Sequence, residues 1–347
     1  VTGFNEPPPP ERQPNLIFGE HMSLIRNTGC GWRHSLLCAL AVAALAACGG
    51  GTSQREPFVP QRLISFGDES SVLVQDPAKP GGARKYAVNF IVTTNGVDTI
   101  DCAQQPLWNQ TVANLYTFVF KECNAGAVAL PQAATFAQAG GKVADLAAQI
   151  VVARADKGAF RHDDLITLLT GANDIVEVYE NGVGTVSEDD MAADLRQRGE
   201  QLANVVNDLV REGPRVLLST VPDLGLSPYG RAQEAQFPGR ATLLSRLTRA
   251  FNEQLGVTII LDGSLIGLVQ ADQMVQAMSR SPGSFGLANA NDAACLSSSL
   301  LPNCSSKTLI PNGDASNFLW ADGIRMSYGG HAYLGQLAQA RALRNPF

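Results

Sequence analysis

Short runs rich in Val, Ile and Leu alternate along this chain with segments of helical periodicity, and that alternation restricts the fold more than any other feature of the sequence. It is the order expected of a parallel sheet whose crossovers lay helices on both faces. RLISFGDE (62–69), ATFAQAGG (134–141), DLITLLTGAND (164–174), RVLLSTVPDLG (215–225) and VTIILDG (257–263) read as its strands. SVLVQ (71–75) and KYAVNFIV (85–92) read as an inserted hairpin. Between the strands, PLWNQTVANLYTFVF (106–120) sets Leu107, Val112, Leu115 and Phe118 on one helical face, and Ser187-Glu188-Asp189-Asp190 is the capping box of a long helix through Val210. The spacing predicts one α/β domain over 61–347: a three-layer α/β/α, doubly wound, mostly parallel sheet of flavodoxin-like type with a small inserted hairpin.

The residues ahead of that domain are of another kind. NEPPPPERQPN, within 1–21, is too rich in proline and polar side chains to bury apolar area, which predicts a disordered extension with Met22 as a candidate start. Arg26, Arg33 and His34 then precede the apolar run SLLCALAVAALAA (35–47), the layout of an export signal over 22–47. The run is shorter than the roughly 20 apolar residues a membrane span needs. Leu45-Ala46-Ala47-Cys48 resembles a bacterial lipobox, in which the cysteine is acylated. That resemblance implies a membrane anchor at Cys48, a flexible tether over 48–60, and, with Gly49 rather than aspartate after it, sorting to the outer membrane.

Cysteine usage fits export. Setting aside Cys30, Cys38 and Cys48 leaves Cys102, Cys123, Cys295 and Cys304, an even number with three connectivities; pairing by nearest sequence gives Cys102–Cys123 and Cys295–Cys304. No two of the four have the tight spacing of a zinc site and no histidine lies near them. The 26 Lys and Arg are scattered against 32 Asp and Glu, which gives no electrostatic footprint for nucleic acid. No motif for a cofactor is present.

In a doubly wound sheet, ligands collect beyond the carboxyl ends of the strands. GDESS (67–71), AGG (139–141) and TGAND (170–174) follow predicted strands, and ADGIR (321–325) precedes the last helix. In that order the blocks resemble the GDSL esterases and lipases, the SGNH hydrolase family, over nearly the whole domain. The resemblance implies an SGNH-hydrolase fold and hydrolysis of carboxylic esters or thioesters. It makes Asn173, of Gly171-Ala172-Asn173-Asp174, the side-chain oxyanion donor. Gly140 becomes the backbone donor, with Gly141 second, TVPDLGLSP (220–228) the fourth block, and Asp322 the acid of a late Asp-x-x-His.

Two positions depart from the family pattern. Glu69 stands where the family keeps its nucleophilic serine, and Arg325 where it keeps its histidine. Arginine, with a pKa above about 12, cannot take a proton from a nucleophile near neutral pH. An active ester or thioester hydrolase would have to use Ser70 with His331, since His162 lies at the far end of its strand. The other reading joins the two departures: Glu69 and Arg325 should face each other as an ion pair, braced by Asp322, that closes the former centre. The sequence thus predicts an exported lipoprotein with an altered centre that serves in binding or structure, with a small acyl ester or glycan ester as the ligand class. A two-carboxylate glycoside centre built on Glu69 and Asp322 is opposed by Arg325, which would hold both acids ionised.

Overall fold

The predicted alternation becomes a five-stranded, wholly parallel sheet. Its first strand, β1 (Arg62–Gly67), is followed by two small antiparallel hairpins outside the sheet, β2 (Leu73–Gln75) with β3 (Ala83–Lys85) and β4 (Ile91–Thr94) with β5 (Val97–Ile100). The sheet is completed by β6 (Ala133–Thr135), β7 (Asp164–Leu169), β8 (Arg215–Ser219) and β9 (Ile266–Val269) in the order β6-β1-β7-β8-β9. Late in the chain β10 (Asn289–Ala293) pairs in parallel with β11 (Phe318–Trp320) as a separate ribbon. The computed structural model describes residues 58–344 except 77, 78 and 80. The predicted extension, the signal segment and Cys48 lie outside the described residues. Phe58, near the end of the predicted tether, packs over the Arg215 guanidinium, 4.1 Å from the ring centroid.

Eight helices occur among the described residues: α1 (Trp108–Leu115), α2 (Leu146–Lys157), α3 (Ala172–Gly182), α4 (Glu188–Arg211), α5 (Pro228–Gln236), α6 (Arg240–Thr258), α7 (Ala271–Arg280) and α8 (Tyr328–Arg344). Three layers follow from the two-residue period of a strand, which sends alternate side chains to opposite faces. Ile64 and Phe66, Ile166 and Leu168, and Val216 and Leu218 enter a core with Leu146, Leu202 and Phe251 of α2, α4 and α6. Leu63, Leu165 and Leu217 point the other way, into a core with Trp108, Met278 and Leu334 of α1, α7 and α8. Strands buried on both faces read as unbroken apolar runs, and each such side chain contributes roughly 1.5–3 kcal/mol by leaving water.

Three sequence expectations are corrected. KYAVNFIV is not one strand: residues 86–90 leave the hairpin, and buried Asn89 instead bridges in parallel to Ser305, its side-chain amide donating to the carbonyls of Pro302 and Cys304 at 2.8 and 2.9 Å. VTIILDG is not a strand either. Val257 and Thr258 end α6, Leu261 is 86 % exposed, and the sheet resumes at Ile266. The first helix is shorter than 106–120, stopping at Leu115. Ser187 caps α4 as expected, its side chain accepting from the Asp190 backbone N–H. Both disulfides form as expected, Cys102–Cys123 and Cys295–Cys304.

Candidate functional site

The site begins at the end of β1, where the chain must turn through a space too small for a side chain. Gly67 has φ +124°, and a Cβ there would sit 1.8 Å from the Leu169 carbonyl oxygen of the neighbouring strand. Only glycine accommodates both the dihedral and the contact. Gln149 of α2 clamps this residue from the other side, accepting from its N–H at 2.8 Å and donating to its carbonyl at 2.9 Å. Asp68 follows as the cap of a single 3₁₀ turn, Glu69–Ser71, with Oδ1 accepting from the Ser70 N–H at 2.9 Å. This fixes the direction in which Glu69 leaves the sheet.

Glu69 points into a cluster assembled from three loops. Its Oε1 accepts from Arg325 Nη2 at 2.6 Å, and its Oε2 from Asn173 Nδ2 at 2.8 Å. Arg325 Nη1 reaches Asp322 Oδ2 at 2.9 Å, while Asp322 Oδ1 accepts from the Arg325 backbone N–H at 2.8 Å and so closes its own turn. Asn173 sits in the first turn of α3, behind Gly171 at φ +121°, where a Cβ would strike Phe251 and Val221. Its amide also donates to the Gly141 carbonyl at 3.1 Å. The Glu69 side chain is 6 % exposed, and those of Arg325 and Asp322 are 27 % and 26 %.

The electrostatics follow from this geometry. Burial works to raise the Glu69 carboxyl, but the Arg325 charge and the hydrogen bonds from Asn173 and Arg325 outweigh it and hold its pKa below the ordinary glutamate value. For Arg325, burial opposes the charge, and Asp322 and Glu69 together more than restore it. Asp68 has no such partner. Burial first, and the neighbouring Glu69 charge second, push its pKa up to about 7, and its Oδ2 has no hydrogen-bond partner.

The structure therefore brings together Glu69, Asn173, Asp322 and Arg325. The glycine that touches the cluster is Gly141, through its carbonyl. Gly140 beside it lies exposed at φ +72°, its N–H donating to no protein atom among the described residues. Ser70 and His331 are not brought together. His331 is buried against α1, its Nδ1 accepting from the Trp108 backbone N–H at 3.4 Å, while the Trp108 indole N–H donates to Ser71 Oγ at 3.0 Å. The Nε2 of His331 has no hydrogen-bond partner, and burial pushes the imidazole pKa down to about 3. The expected Ser70–His331 pair is thus absent: a residue six positions past Arg325 is already inside α8 and faces the core.

Gln149 and Asp68 carry roles the sequence did not announce. Nothing local marks Gln149, since its partner is 82 residues away. The predicted fourth block, TVPDLGLSP, borders a separate cavity of about 420 Å³ beyond the carboxyl ends of β8 and β9. There Asp223 accepts from Ser245 Oγ at 2.6 Å and from Gln276 Nε2 at 3.1 Å, and takes no part in the Glu69 cluster. Among the described residues no group of three or more His, Cys, Asp or Glu side chains is placed to hold a metal ion.

No protein-family model matches the chain. A phosphatidylcholine-sterol acyltransferase from Aeromonas hydrophila is 26 % identical over 141 residues, which is 40 % of this chain and 38 % of that protein. The chain thus matches well under half the length of this curated relative. Among solved structures, an acetylxylan esterase from Geobacillus stearothermophilus aligns with 83 % of this chain and 96 % of its own at 16 % identity and a TM-score of 0.36. The lipase/acylhydrolase from Enterococcus faecalis covers 82 % of this chain and 97 % of its own at 15 % identity, also with a TM-score of 0.36. A member of the lipolytic G-D-S-L family from Veillonella parvula covers 81 % and 96 % at 12 % identity and the same score. Likeness at this level assigns no residue its role.

Proposed function

We propose that this chain carries a GDSL-type ester-hydrolase domain, of the SGNH class, whose acyl-transfer centre is replaced by an ion triad, and that it serves in binding or structure rather than in ester hydrolysis. The observation that carries the reading is the 2.6 Å contact between Arg325 and Glu69 at the two positions where the resemblance calls for base and nucleophile. Around that contact stand the Gly67-Asp68 turn, Asn173 and Asp322, the residues that the resemblance assigns to the same centre. What is missing is a hydroxyl to attack and an imidazole to take its proton. The Asn173 donor that would steady an oxyanion is spent on Glu69 itself. We propose further that the protein is exported and anchored in the outer membrane through acylated Cys48, and that its ligand is a small acyl ester or glycan ester bound without turnover.

The test is hydrolysis of short p-nitrophenyl esters by the purified domain. The wild type should show no turnover above a Glu69→Ala control, and Ser70→Ala and His331→Ala should change nothing. Glu69→Ser alone should stay inactive, because Arg325 still accepts no proton. Glu69→Ser with Arg325→His should raise turnover by about 10²-fold or more, the typical contribution of a positioned acid–base group. Wild-type turnover that disappears in Ser70→Ala would overturn the proposal. The anchor is checked separately, by palmitate labelling that Cys48→Ala abolishes.

A further inference from the structure

We infer that the Arg325–Asn173 centre is a receptor for a single carboxylate group and that the Glu69 side chain is its resident ligand, so that the native protein is closed to outside carboxylates there and opens to them once Glu69 is removed. This deepens the reading above and rests on its claim that no acyl transfer occurs at the centre. Both oxygens of Glu69 are engaged, one by a guanidinium and one by a carboxamide, as a bound acid would be.

The receptor groups do not depend on Glu69 for their placement. Arg325 is held by Asp322 through both its side chain and its backbone N–H. Asn173 is held by the Gly141 carbonyl and by its position in the first turn of α3, an 11-residue helix whose amino end favours negative charge. A donor set fixed in advance loses little on binding. The partial exposure of Arg325 and Asp322 marks the side from which a small molecule would enter. Removing Glu69 leaves Arg325 balanced by Asp322 alone, with one cationic donor and one amide donor aimed at the vacated space.

Atom counting selects the probe. Glu69→Ala deletes the terminal methylene and the carboxylate, which together are acetate less one hydrogen. Acetate should therefore enter the vacated space, its methyl standing off the remaining Cβ by a van der Waals contact where the deleted group was bonded, formate should enter with less crowding, and acetamide, of the same shape as acetate without charge, should not bind.

The experiment measures the thermal midpoint of Glu69→Ala against sodium acetate at constant ionic strength. A saturable rise of roughly 2 °C is expected at an acetate concentration ten times its Kd. A rise is expected with formate too, and none with acetamide, in the wild type, or in Glu69→Ala with Arg325→Met. Should Glu69→Ala fold poorly, its refolding yield in acetate against chloride gives the same readout, with Glu69→Ser as a second variant. A folded Glu69→Ala that shows no saturable response, or a wild type that responds equally, overturns the inference. The two proposals fail separately. Ester turnover by the wild type sinks the altered-centre reading whatever acetate does, and a missing acetate response without turnover sinks only the resident-ligand reading.

Discussion

Glu69 is a carboxylate almost wholly withdrawn from water, and such a group persists only if its surroundings repay its lost hydration. Arg325 is the principal source of that compensation and Asn173 the second. Arg325→Met should therefore destabilise the fold by about 2–3 kcal/mol in urea titrations, below the roughly 3–5 kcal/mol for breaking a fully buried pair because the guanidinium is partly exposed. Glu69→Gln should cost less, since Asp322 still faces the arginine. Glu69→Leu combined with Arg325→Met should recover part of the single-variant loss, giving a coupling energy of at least about 1 kcal/mol. An Arg325→Met variant within 0.5 kcal/mol of wild type, the ~0.5 kcal/mol scatter of surface substitutions, would show that the contact is no more than a surface pair. These four cluster residues were legible beforehand because each follows a small-residue turn at a strand end or precedes the last helix. Ser70 and His331 misled because sequence distance counts residues and not the direction of a helix face.

At the scale of elements, the join between β1 and the functional turn depends on a clamp that no local pattern displays. Gln149 satisfies the Gly67 N–H inside the protein and shares the Gly67 carbonyl with the Gln138 backbone N–H, so Gln149→Ala should leave one buried donor unpaired and cost about 1–3 kcal/mol. Gly67→Ala should be worse, with no stable fold recovered, because the clash is with backbone that cannot move aside. Circular dichroism melts of the two variants check this ordering. The same dependence on distant partners explains which elements could be read in advance. β1, β7 and β8 are buried on both faces, and their apolar runs say so. β9, IGLV, is short and interrupted by glycine, whereas the more apolar stretch just before it ends α6, with Ile259 buried in the core and Val257 and Leu261 exposed. KYAVNFIV has strand composition throughout, yet Asn89 finds its partners more than 200 residues away instead of continuing the hairpin.

For the molecule as a whole, buried titratable groups set how stability varies with pH. Burial first of all pushes the carboxyls of Asp68 and Glu122 up to about 7, and it pushes the His331 imidazole down to about 3. Between roughly pH 4 and 7 the folded chain keeps protons on Asp68 and Glu122 that the unfolded chain has lost. These two groups therefore make stability fall as pH rises through that window and level off above it. His331 acts in the opposite sense. From its ordinary pKa of 6.5 down to about 3, the unfolded chain binds a proton that the folded chain refuses, so its contribution to stability is complete above 6.5 and is lost as pH falls. Asp68→Asn keeps the oxygen that caps the turn and removes the titration. Its stability relative to wild type should improve by a few kcal/mol from pH 4 to 7, at about 1.4 kcal/mol per pKa unit. His331→Leu should show the reverse trend, gaining on wild type as pH drops from 7 to 4. Urea titrations of both variants across that range decide the matter. Parallel pH profiles for the two would mean that neither group is held in the protonation state its burial demands.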